Sequence, residues 1–297
     1  MQFYTKNCEK EVSYTKDEIA QYYKECNNAY RDAWGMDKNF QLNLGLWKKD
    51  TKKLSDALFN LNEEIAVNAN LNDTMHVLDA GCGVGGTAIH FAKHYRCRVT
   101  GITLSNLQLQ TAKENVLKLK LDDRIDFHLM NYMNTSFKDE SFDVIVGIES
   151  ICYAQPKYDF LIEAYRLLKK GGRLILAENL QAKKLLNADE YRSLYTNAFN
   201  GCKVELLDTE ANYRKNLKSI GYAEINCIDK TKEIRPSIKR LRRFYYPAFL
   251  YNAYHRLIGR PFSKTQEANT KMCYHLLSSL DRGLWKYSII KATKPNE

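Results

Sequence analysis

The fold of this chain is decided by residues 77–87, which read Val77-Leu78-Asp79-Ala80-Gly81-Cys82-Gly83-Val84-Gly85-Gly86-Thr87. Residues 76–79 form a short apolar segment typical of a strand, and residues 87–95 have a helical pattern. The glycine-rich turn at residues 81–86 joins the two, and such a turn lets the backbone approach a ligand closely. The stretch therefore predicts a strand–turn–helix unit that binds a ligand at its turn.

An acidic residue, Asp79, stands two positions before Gly81 in this unit. In dinucleotide-binding enzymes a comparable turn seats a pyrophosphate on the helix N-terminus, and an aspartate there would repel it. Asp79 can instead orient the turn and contact the positively charged amino group of an amino-acid-like ligand. S-adenosylmethionine (SAM) has such a group. The pattern favours SAM, with a dinucleotide or a purely structural turn as the alternatives.

Strands and helices alternate after this unit. Apolar strand patterns occur at residues 76–79, 97–102, 124–129, 142–148 and 173–178, separated by helical patterns at residues 87–95, 105–119 and 158–168. Such alternation implies a parallel sheet with crossover helices. The predicted fold class is α/β: a Rossmann-like sheet with helices on both faces and a mostly helical cap.

The alternation divides the chain into four regions. We expect an N-terminal helical lid or cap at residues 1–70 and a ligand-binding core at residues 71–180. Residues 181–281 break the rhythm and predict a mostly helical, substrate-binding cap insertion. Residues 282–297 regain strand character and are expected to return to the sheet.

The glycine turn resembles motif I of class I SAM-dependent methyltransferases. Residues 99–108, V-T-G-I-T-L-S-N-L-Q, are similar to the V-T-G-I-T-L-S-x-x-Q pattern of the cyclopropane synthase, sterol C24- and tocopherol-methyltransferase branch. The resemblance implies SAM as cofactor and S-adenosylhomocysteine as product. It assigns cofactor binding to Asp79, Gly81, Cys82, Gly83 and Gly85, and to Thr103, Leu104 and Gln108. Thr103 stands where many class I enzymes have an acidic residue for the ribose.

Two further segments extend the resemblance. Residues 128–145 resemble the family's third motif, which implies that Asn131 meets the adenine amino group with Tyr132 beside it. Residues 147–154, G-I-E-S-I-C-Y-A, are similar to the I-E-A-T-C-H-A-P segment of sterol C24-methyltransferases. The predicted catalytic residues are Glu149, which is also counted among the cofactor-binding residues, and Tyr153, which replaces the histidine. Glu149 can stabilise a cation, bind the substrate, accept a proton, or only anchor its loop.

Aromatic residues of the two cap regions are expected to line the substrate pocket. They are Tyr22, Tyr30, Trp34, Tyr245 and Tyr246. The segment 230–243 is the densest basic patch, and it suggests an amphipathic cover helix, a nucleic acid, an anionic membrane surface or a phosphorylated substrate. Helical spacing of its apolar residues favours the cover helix.

Composition is that of an ordinary globular protein, with 44% hydrophobic residues and a formal charge of +10 spread along 297 residues. The eight cysteines have neither C-x-x-C pairing nor zinc spacing, so we expect free thiols, no metal and a cytoplasmic location. We see no apolar run typical of a signal peptide or a membrane span. Peripheral membrane contact and the oligomeric state stay open, with a homodimer as one option.

These observations predict a methyltransferase that acts on a small lipophilic molecule, such as an isoprenoid, sterol or polyketide, at carbon or oxygen. The expected reaction is in-line displacement at the SAM methyl carbon, helped by orientation and exclusion of water. An RNA methyltransferase, a non-catalytic SAM-binding protein and a SAM-assisted cyclase are the alternatives. Nucleic acid is not the expected partner.

Overall fold

The computed structural model describes residues 14–297. The helices are α1 (Lys16–Trp34), α2 (Met36–Asn39), α3 (Leu54–Ala69), α4 (Gly86–Tyr95), α5 (Asn106–Leu119), α6 (Lys157–Leu167), α7 (Ala188–Tyr191), α8 (Glu210–Ile220), α9 (Thr231–Leu257) and α10 (Lys264–Asp281). The strands are β1 (His76–Ala80), β2 (Arg98–Thr103), β3 (Ile125–Leu129), β4 (Phe142–Ile148), β5 (Leu168–Gln181), β6 (Ala223–Asp229) and β7 (Trp285–Thr293). Short π and 3-10 turns follow α7 at Arg192–Cys202.

The seven strands form one sheet in the order β3-β2-β1-β4-β5-β7-β6. Strands β1 to β5 are parallel to one another, whereas β7 runs antiparallel to both β5 and β6. The central strands are covered on both faces, so Val77, Leu78, Val144 and Ile145 are almost wholly buried. The predicted Rossmann-like class I fold with helices on both faces is confirmed.

The order of the strands explains where a ligand can bind. Strand β1 lies between β2 and β4. After β1 the chain adds β2 and β3 on one side of that strand, and then crosses to its other side to add β4. In such sheets a crevice opens outside the carboxyl ends of the strands at this switch point. Asp79 is the last residue but one of β1 and Glu149 follows β4, so both predicted site carboxyl groups lie at this crevice.

The N-terminal helices follow their sequence signals. Helix α1 begins with a capping box in which Thr15 and Glu18 bond each other's backbone amides, and it ends at Gly35 in the left-handed region. In α3, Leu58, Leu61 and Ile65 form the buried face that their spacing predicts. These helices extend the core beyond the sheet.

The region at residues 181–281 differs from its prediction in one respect. Residues 223–229 form β6, which pairs with β7 at the edge of the sheet. Ala223, Ile225 and Cys227 alternate with Glu224 and Asn226, so the sequence contains a short strand pattern here that the prediction of a mostly helical region did not use. Helix α8 packs with α6, and we use the name cap for residues 192–205, α9 and α10. The domain boundaries stay a prediction.

Helix α9 begins at Thr231 and continues through Pro236 and Pro247. Its buried side chains, Ile234, Ile238 and Leu241, follow helical spacing. This agrees with the predicted amphipathic helix in the basic segment. Within residues 14–297, no helix has a stretch both long and apolar enough to cross a bilayer.

Candidate active site

A cavity of about 280 Å³ lies at the switch point. It is lined by the glycine turn, by the ends of β2 and β4, and by residues 131–133 from the core. The start of α1, residues 40–43 and residues 203–205 complete the lining from outside the sheet. The cavity therefore joins the predicted ligand-binding turn to the helical cap.

The glycine turn is held tightly against the segment that follows β4. Gly81 has a φ of +90°, and a Cβ added there would lie 2.4 Å from Cβ of Ser150. The backbone amides of Gly81 and Cys82 both donate to the carbonyl oxygen of Ile102 at 3.0 Å. Only glycine can adopt this φ readily and also leave room for the side chain of Ser150.

Asp79 is buried beside this turn, and one of its carboxyl oxygens accepts no hydrogen bond from the described residues. The residue is 3% exposed, and its Oδ2 has no hydrogen-bond partner among the described residues. Burial raises the pKa of Asp79 to about 7, partly offset by a hydrogen bond from the backbone of Ala88. An unpartnered buried carboxyl group costs free energy, so this position suits a ligand that brings a donor or a positive charge.

The end of β2 contributes polar side chains that bond each other. Thr103, Leu104 and Gln108 all line the cavity. The hydroxyl of Thr103 donates to Oε1 of Gln108 at 3.0 Å, and it accepts from the backbone amide of Ser105 at 3.2 Å. The bond leaves both donor hydrogens of the Gln108 amide group free for a ligand.

Asn131 and Tyr132 also lie in the cavity wall. Oδ1 of Asn131 accepts from the backbone amide of Met133 at 3.1 Å, and an amide oxygen can accept a second hydrogen bond. The hydroxyl of Tyr132 donates to the backbone carbonyl of Ser150 at 2.9 Å. Tyr132 therefore holds the same residue, Ser150, against which the glycine turn packs.

Glu149 connects three distant parts of the chain. Its Oε1 accepts from the backbone amide of Leu44 at 2.8 Å and from the hydroxyl of Tyr287 at 3.0 Å. Burial raises the pKa of Glu149 to about 7, although both hydrogen bonds act in the opposite direction. The residue lines the cavity with a φ of +51°. Glu149 can therefore both anchor its loop and take part in the reaction, because the two hydrogen bonds use Oε1 and leave Oε2 available.

Glu178 holds the backbone that carries Glu149. Its Oε1 accepts from the amides of Ser150 at 3.0 Å and Ile151 at 2.7 Å, while Oε2 has no partner among the described residues. Burial raises the pKa of Glu178 to about 8. Sequence reasoning does not identify this residue, because a carboxyl group inside a predicted strand carries no local signal of its contacts.

Tyr153 lines the cavity together with Tyr23 from α1. The hydroxyl of Tyr23 donates to that of Tyr153 at 3.2 Å, which donates in turn to the backbone carbonyl of Cys202 at 2.9 Å. Burial raises the pKa of both tyrosines far above the usual range. At neutral pH they are hydrogen-bonding phenols that join α1 to the core and to the cap.

Comparison with known proteins agrees with this architecture. Residues 78–176 match the family model described as a methyltransferase domain. The chain is 29% identical over 77% of its length to 27-O-demethylrifamycin SV methyltransferase of Amycolatopsis mediterranei, of which 83% is covered. It is 27% identical over 80% of its length to sterol 24-C-methyltransferase of Debaryomyces hansenii, of which 61% is covered. The chain is a SAM-dependent methyltransferase.

The fold of this methyltransferase is also found in a solved structure of low sequence identity. The cyclopropane synthase of Mycobacterium tuberculosis superposes with a TM-score of 0.80 at 16% identity, covering 96% of this chain and 100% of that one. The predicted resemblance to the branch that includes cyclopropane synthases and sterol methyltransferases is confirmed.

The methyltransferase brings most of the predicted site residues together. Asp79, Gly81, Cys82, Gly83, Thr103, Leu104, Gln108, Asn131, Tyr132, Glu149 and Tyr153 all line the cavity. Gly85 does not line it, because a Cβ there would lie 2.8 Å from the ring of Phe127. Gly85 is required for packing between the turn and the sheet.

The five aromatic residues predicted for the substrate pocket do not line this cavity, and their part in binding the acceptor stays a prediction. The hydroxyls of Tyr22 and Tyr30 bond each other and accept from Asn269 of α10 at 3.2 and 3.1 Å. The indole of Trp34 donates to the carbonyl of Asn43 at 2.8 Å within the core.

The two aromatic residues of α9 also lie elsewhere. Tyr245 packs on Tyr274 of α10 with ring centroids 5.1 Å apart, and Tyr246 is 55% exposed. Helix periodicity explains the difference between neighbouring residues of α1, because Tyr22 and Tyr23 project about 100° apart. Tyr23 faces the cavity, whereas Tyr22 faces α10.

Residues 40–43 lie in the connection between α2 and α3, and they form part of the cavity wall. They cross directly over the glycine turn, since a Cβ on Gly86 would lie 2.2 Å from the carbonyl oxygen of Phe40. The signal that could have identified them is the second consecutive glycine, Gly86, which allows another backbone to approach. Lys203 and Glu205 of the cap also line the cavity and were missed.

Proposed function

We propose that this methyltransferase transfers the methyl group of SAM to carbon or oxygen of a small lipophilic acceptor. The proposal is carried by one arrangement: the unpartnered Asp79 oxygen, Glu149 and the phenols of Tyr23 and Tyr153 share a single cavity. The two curated relatives named above are a rifamycin O-methyltransferase and a sterol C-methyltransferase, and both names describe bulky organic acceptors.

The cofactor end of the cavity fits SAM. We assign Asp79 to its ammonium group, because Oδ2 is buried and has no hydrogen-bond partner within residues 14–297. Gly81, Cys82 and Gly83 are assigned to close backbone contact, and Gly85 to the packing that supports them. Thr103, Leu104 and Gln108 are assigned to the ribose, and Asn131 with Tyr132 to the adenine. When bound, SAM supplies a methyl group that its sulfonium makes electrophilic.

The acceptor end contains aromatic faces and a single buried carboxyl group. Tyr23 and Tyr153 present ring faces and hydroxyls, while Ile19 of α1 adds an apolar wall. We assign Glu149 to the acceptor: its free Oε2 can take a proton from an acceptor hydroxyl or stabilise a developing positive charge. A pKa of about 7 leaves it able to serve in either protonation state near neutrality.

Exclusion of water is assigned to the N-terminal region. Residues 40–43 cross the glycine turn, and α1 closes the cavity through the bond between Tyr23 and Tyr153. A dry, preorganised site strengthens electrostatic interactions and limits side reactions. Residues 1–13 of the lid lie outside the described residues.

The RNA alternative gains no support from the basic segment. Lys230 pairs with Glu64 at 2.7 Å, Arg235 pairs with Asp281, and the guanidinium of Arg242 stacks on the ring of Tyr274. These contacts are internal, so much of the charge holds α9 in place. For location and assembly we propose the cytoplasm, consistent with the seven free thiols among the described residues, and we leave the homodimer as a hypothesis.

The decisive experiment incubates the purified chain with methyl-labelled SAM and fractionated cell extract, then identifies labelled products by mass. We expect the label in the organic-soluble, low-molecular-mass fraction. Label in RNA would contradict the proposal, and so would SAM bound tightly with no transfer to any fraction. A product lacking the label would instead indicate cyclisation. The Asp79→Asn variant is the control for label that does not depend on the site.

A further inference from the structure

The second half of α9 has an outer face covered with exposed apolar and aromatic side chains. Leu257 is 87% exposed and Leu250 is 67% exposed. The other members of this face, each more than half exposed, are Tyr246, Phe249, Tyr251 and Tyr254. Contiguous apolar surface of this kind marks an interaction site, whereas isolated exposed residues do not.

The first half of the same face is basic. Lys239, Arg243, Tyr246, Leu250 and Leu257 follow one another at steps of four, three, four and seven residues, which places them on a single stripe. At about 1.5 Å per residue this stripe is about 27 Å long. Lys239 and Arg243 are exposed and have no hydrogen bond or ion pair with any described residue. The stripe thus changes from cationic to apolar along the helix.

The charge of the stripe selects among its potential partners. The one acidic residue of α9 is Glu233, near its start, and the neighbouring acids of α10 are neutralised, since Glu267 pairs with Arg256 and Asp281 with Arg235. A two-fold contact with a second copy would need a self-complementary patch. The stripe itself presents cations and apolar groups and contains no acid, so its own surface cannot pair with that of a second copy across a two-fold axis.

An anionic bilayer surface matches both halves of the stripe. Lipid phosphates attract the lysine and arginine, and the acyl boundary accepts the leucines and phenylalanine. Tyrosine prefers the headgroup level, where its ring is buried and its hydroxyl stays hydrated. Four exposed or half-exposed tyrosines, at positions 245, 246, 251 and 254, lie in this part of α9.

We propose that the α9 stripe, residues 239–257, docks this methyltransferase on anionic lipid membranes. The helix pair α9–α10 also contacts the helix that covers the cavity: Gln266 at the start of α10 donates to the backbone carbonyl of Glu25 in α1 at 3.0 Å. Docking would bring a lipophilic acceptor dissolved in the bilayer close to the enzyme. That link to catalysis rests on the proposed function, whereas the docking itself does not.

The test measures co-sedimentation of the full chain with vesicles of phosphatidylcholine alone and of phosphatidylcholine mixed equally with phosphatidylglycerol. We expect binding only to the anionic vesicles, and weaker binding as salt increases. A double variant, Lys239→Ala with Arg243→Ala, should reduce binding by about 25-fold, at about fivefold for each charge. The variant Leu250→Asp with Leu257→Asp should abolish it.

Matched controls lie on the exposed side of α5. Lys113→Ala with Lys118→Ala removes the same charge from another helix, and Leu117→Asp changes a side chain that is 61% exposed. Both controls should bind vesicles as the unmodified chain does. SAM affinity, measured by calorimetry, should be unchanged in every variant, which separates loss of docking from loss of the cofactor site or of the fold.

Three results would overturn the proposal. The chain does not bind the anionic vesicles at low salt, or the α9 and α5 variants bind them equally well, or the chain forms dimers in solution that Leu250→Asp with Leu257→Asp dissociates. Failure to methylate any lipophilic acceptor while vesicle binding persists would contradict the proposed function alone.

Discussion

The backbone amide of Leu44 donates a 2.8 Å hydrogen bond to Oε1 of Glu149, across 105 residues of sequence. This contact ties the N-terminal connection over the cavity to the strand end at which we place methyl transfer. The same oxygen accepts from the hydroxyl of Tyr287, so the last strand is joined to the same point. Closure of the cavity and placement of its carboxyl group are therefore coupled through one atom.

Replacement of Glu149 should separate its anchoring role from its chemical role. Glu149→Gln keeps an oxygen for Leu44 and Tyr287, so we expect normal SAM affinity and unfolding free energy but a turnover reduced by about 100-fold. Glu149→Ala leaves two buried donors unpaired and should also lower the free energy of unfolding by about 1–3 kcal/mol. Turnover is measured with labelled SAM and stability by urea titration. Equal turnover in Glu149→Gln and the unmodified chain would eliminate the chemical role.

Turnover should also depend on pH through Glu149. Burial raises its pKa to about 7, and the ionised form is the one that accepts a proton or stabilises a cation. Turnover at saturating SAM is therefore expected to rise as the pH increases through 7, and this rise should be absent from Glu149→Gln. Parallel pH profiles for the two proteins would contradict the assignment.

SAM affinity should report the ionisation of Asp79. The charged form binds a cation, and burial raises the pKa of Asp79 to about 7. The dissociation constant is therefore expected to be about tenfold larger at pH 6 than at pH 8, because the ligand must displace a proton at the lower pH. Asp79→Asn should weaken binding by about 10- to 100-fold and remove this dependence. Calorimetry at both pH values tests the prediction, and unchanged affinity in the variant would refute it.

Although Asp79→Asn should weaken SAM binding, it should raise the free energy of unfolding of the protein without ligand. The pKa of Asp79 is higher in the folded state than in the unfolded state, so its contribution to stability is present below about pH 4 and is lost as the pH rises through 7. Asparagine has no carboxyl group to ionise. The variant should therefore be more stable than the unmodified chain by about 1–2 kcal/mol at pH 8. At pH 5 the difference should shrink. Urea unfolding at the two pH values measures it.

Gly81→Ala should destabilise the protein and prevent SAM binding. The added Cβ would lie 2.4 Å from Cβ of Ser150, whose hydroxyl is held by the carbonyl of Ala80 at 2.6 Å. We expect a loss of about 3 kcal/mol or more in unfolding free energy. Gly283→Ala is the matched control, since it also has a positive φ but has no atom within 4 Å of the added Cβ. It should cost about 1–2 kcal/mol and leave SAM binding intact.

Replacement of Glu178 should show that it positions Glu149. Burial raises its pKa to about 8, so near neutrality its carboxyl group is mostly protonated. Glu178→Gln keeps the acceptor for the amides of Ser150 and Ile151 and should fold normally. Glu178→Ala leaves both amides unpaired and should lower turnover about tenfold or more while SAM affinity changes little. Equal loss in Gln and Ala variants would contradict a positioning role.

Much of the fold and the cofactor end of the site could be predicted from local sequence. The turn at Gly81, the acid at Asp79 and the pattern after β2 each depend on residues within a few positions of one another. Short-range spacing is what periodicity and turn chemistry report. By contrast, β6 was missed although Ala223, Ile225 and Cys227 alternate with polar residues, because so short a pattern at an exposed edge becomes a strand only through its pairing with β7.

The cap side of the site could not be predicted in the same way. Tyr22 and Tyr23 are adjacent aromatic residues in one helix, and only the packing of α1 against α10 decides that Tyr23 faces the cavity. Likewise, the partners of Glu149 are Leu44 and Tyr287, which lie 105 and 138 residues away.

The sequence by itself determined the glycine turn, the parallel sheet and the acid at the switch point, because these follow from local backbone preference and the burial of apolar residues. Only the tertiary structure decided which residues of α1, of residues 40–43 and of the cap close over them. Those contacts join segments far apart in the chain, and their side chains would fit several packings locally. The native packing is the one that is compatible with all the contacts of the core together.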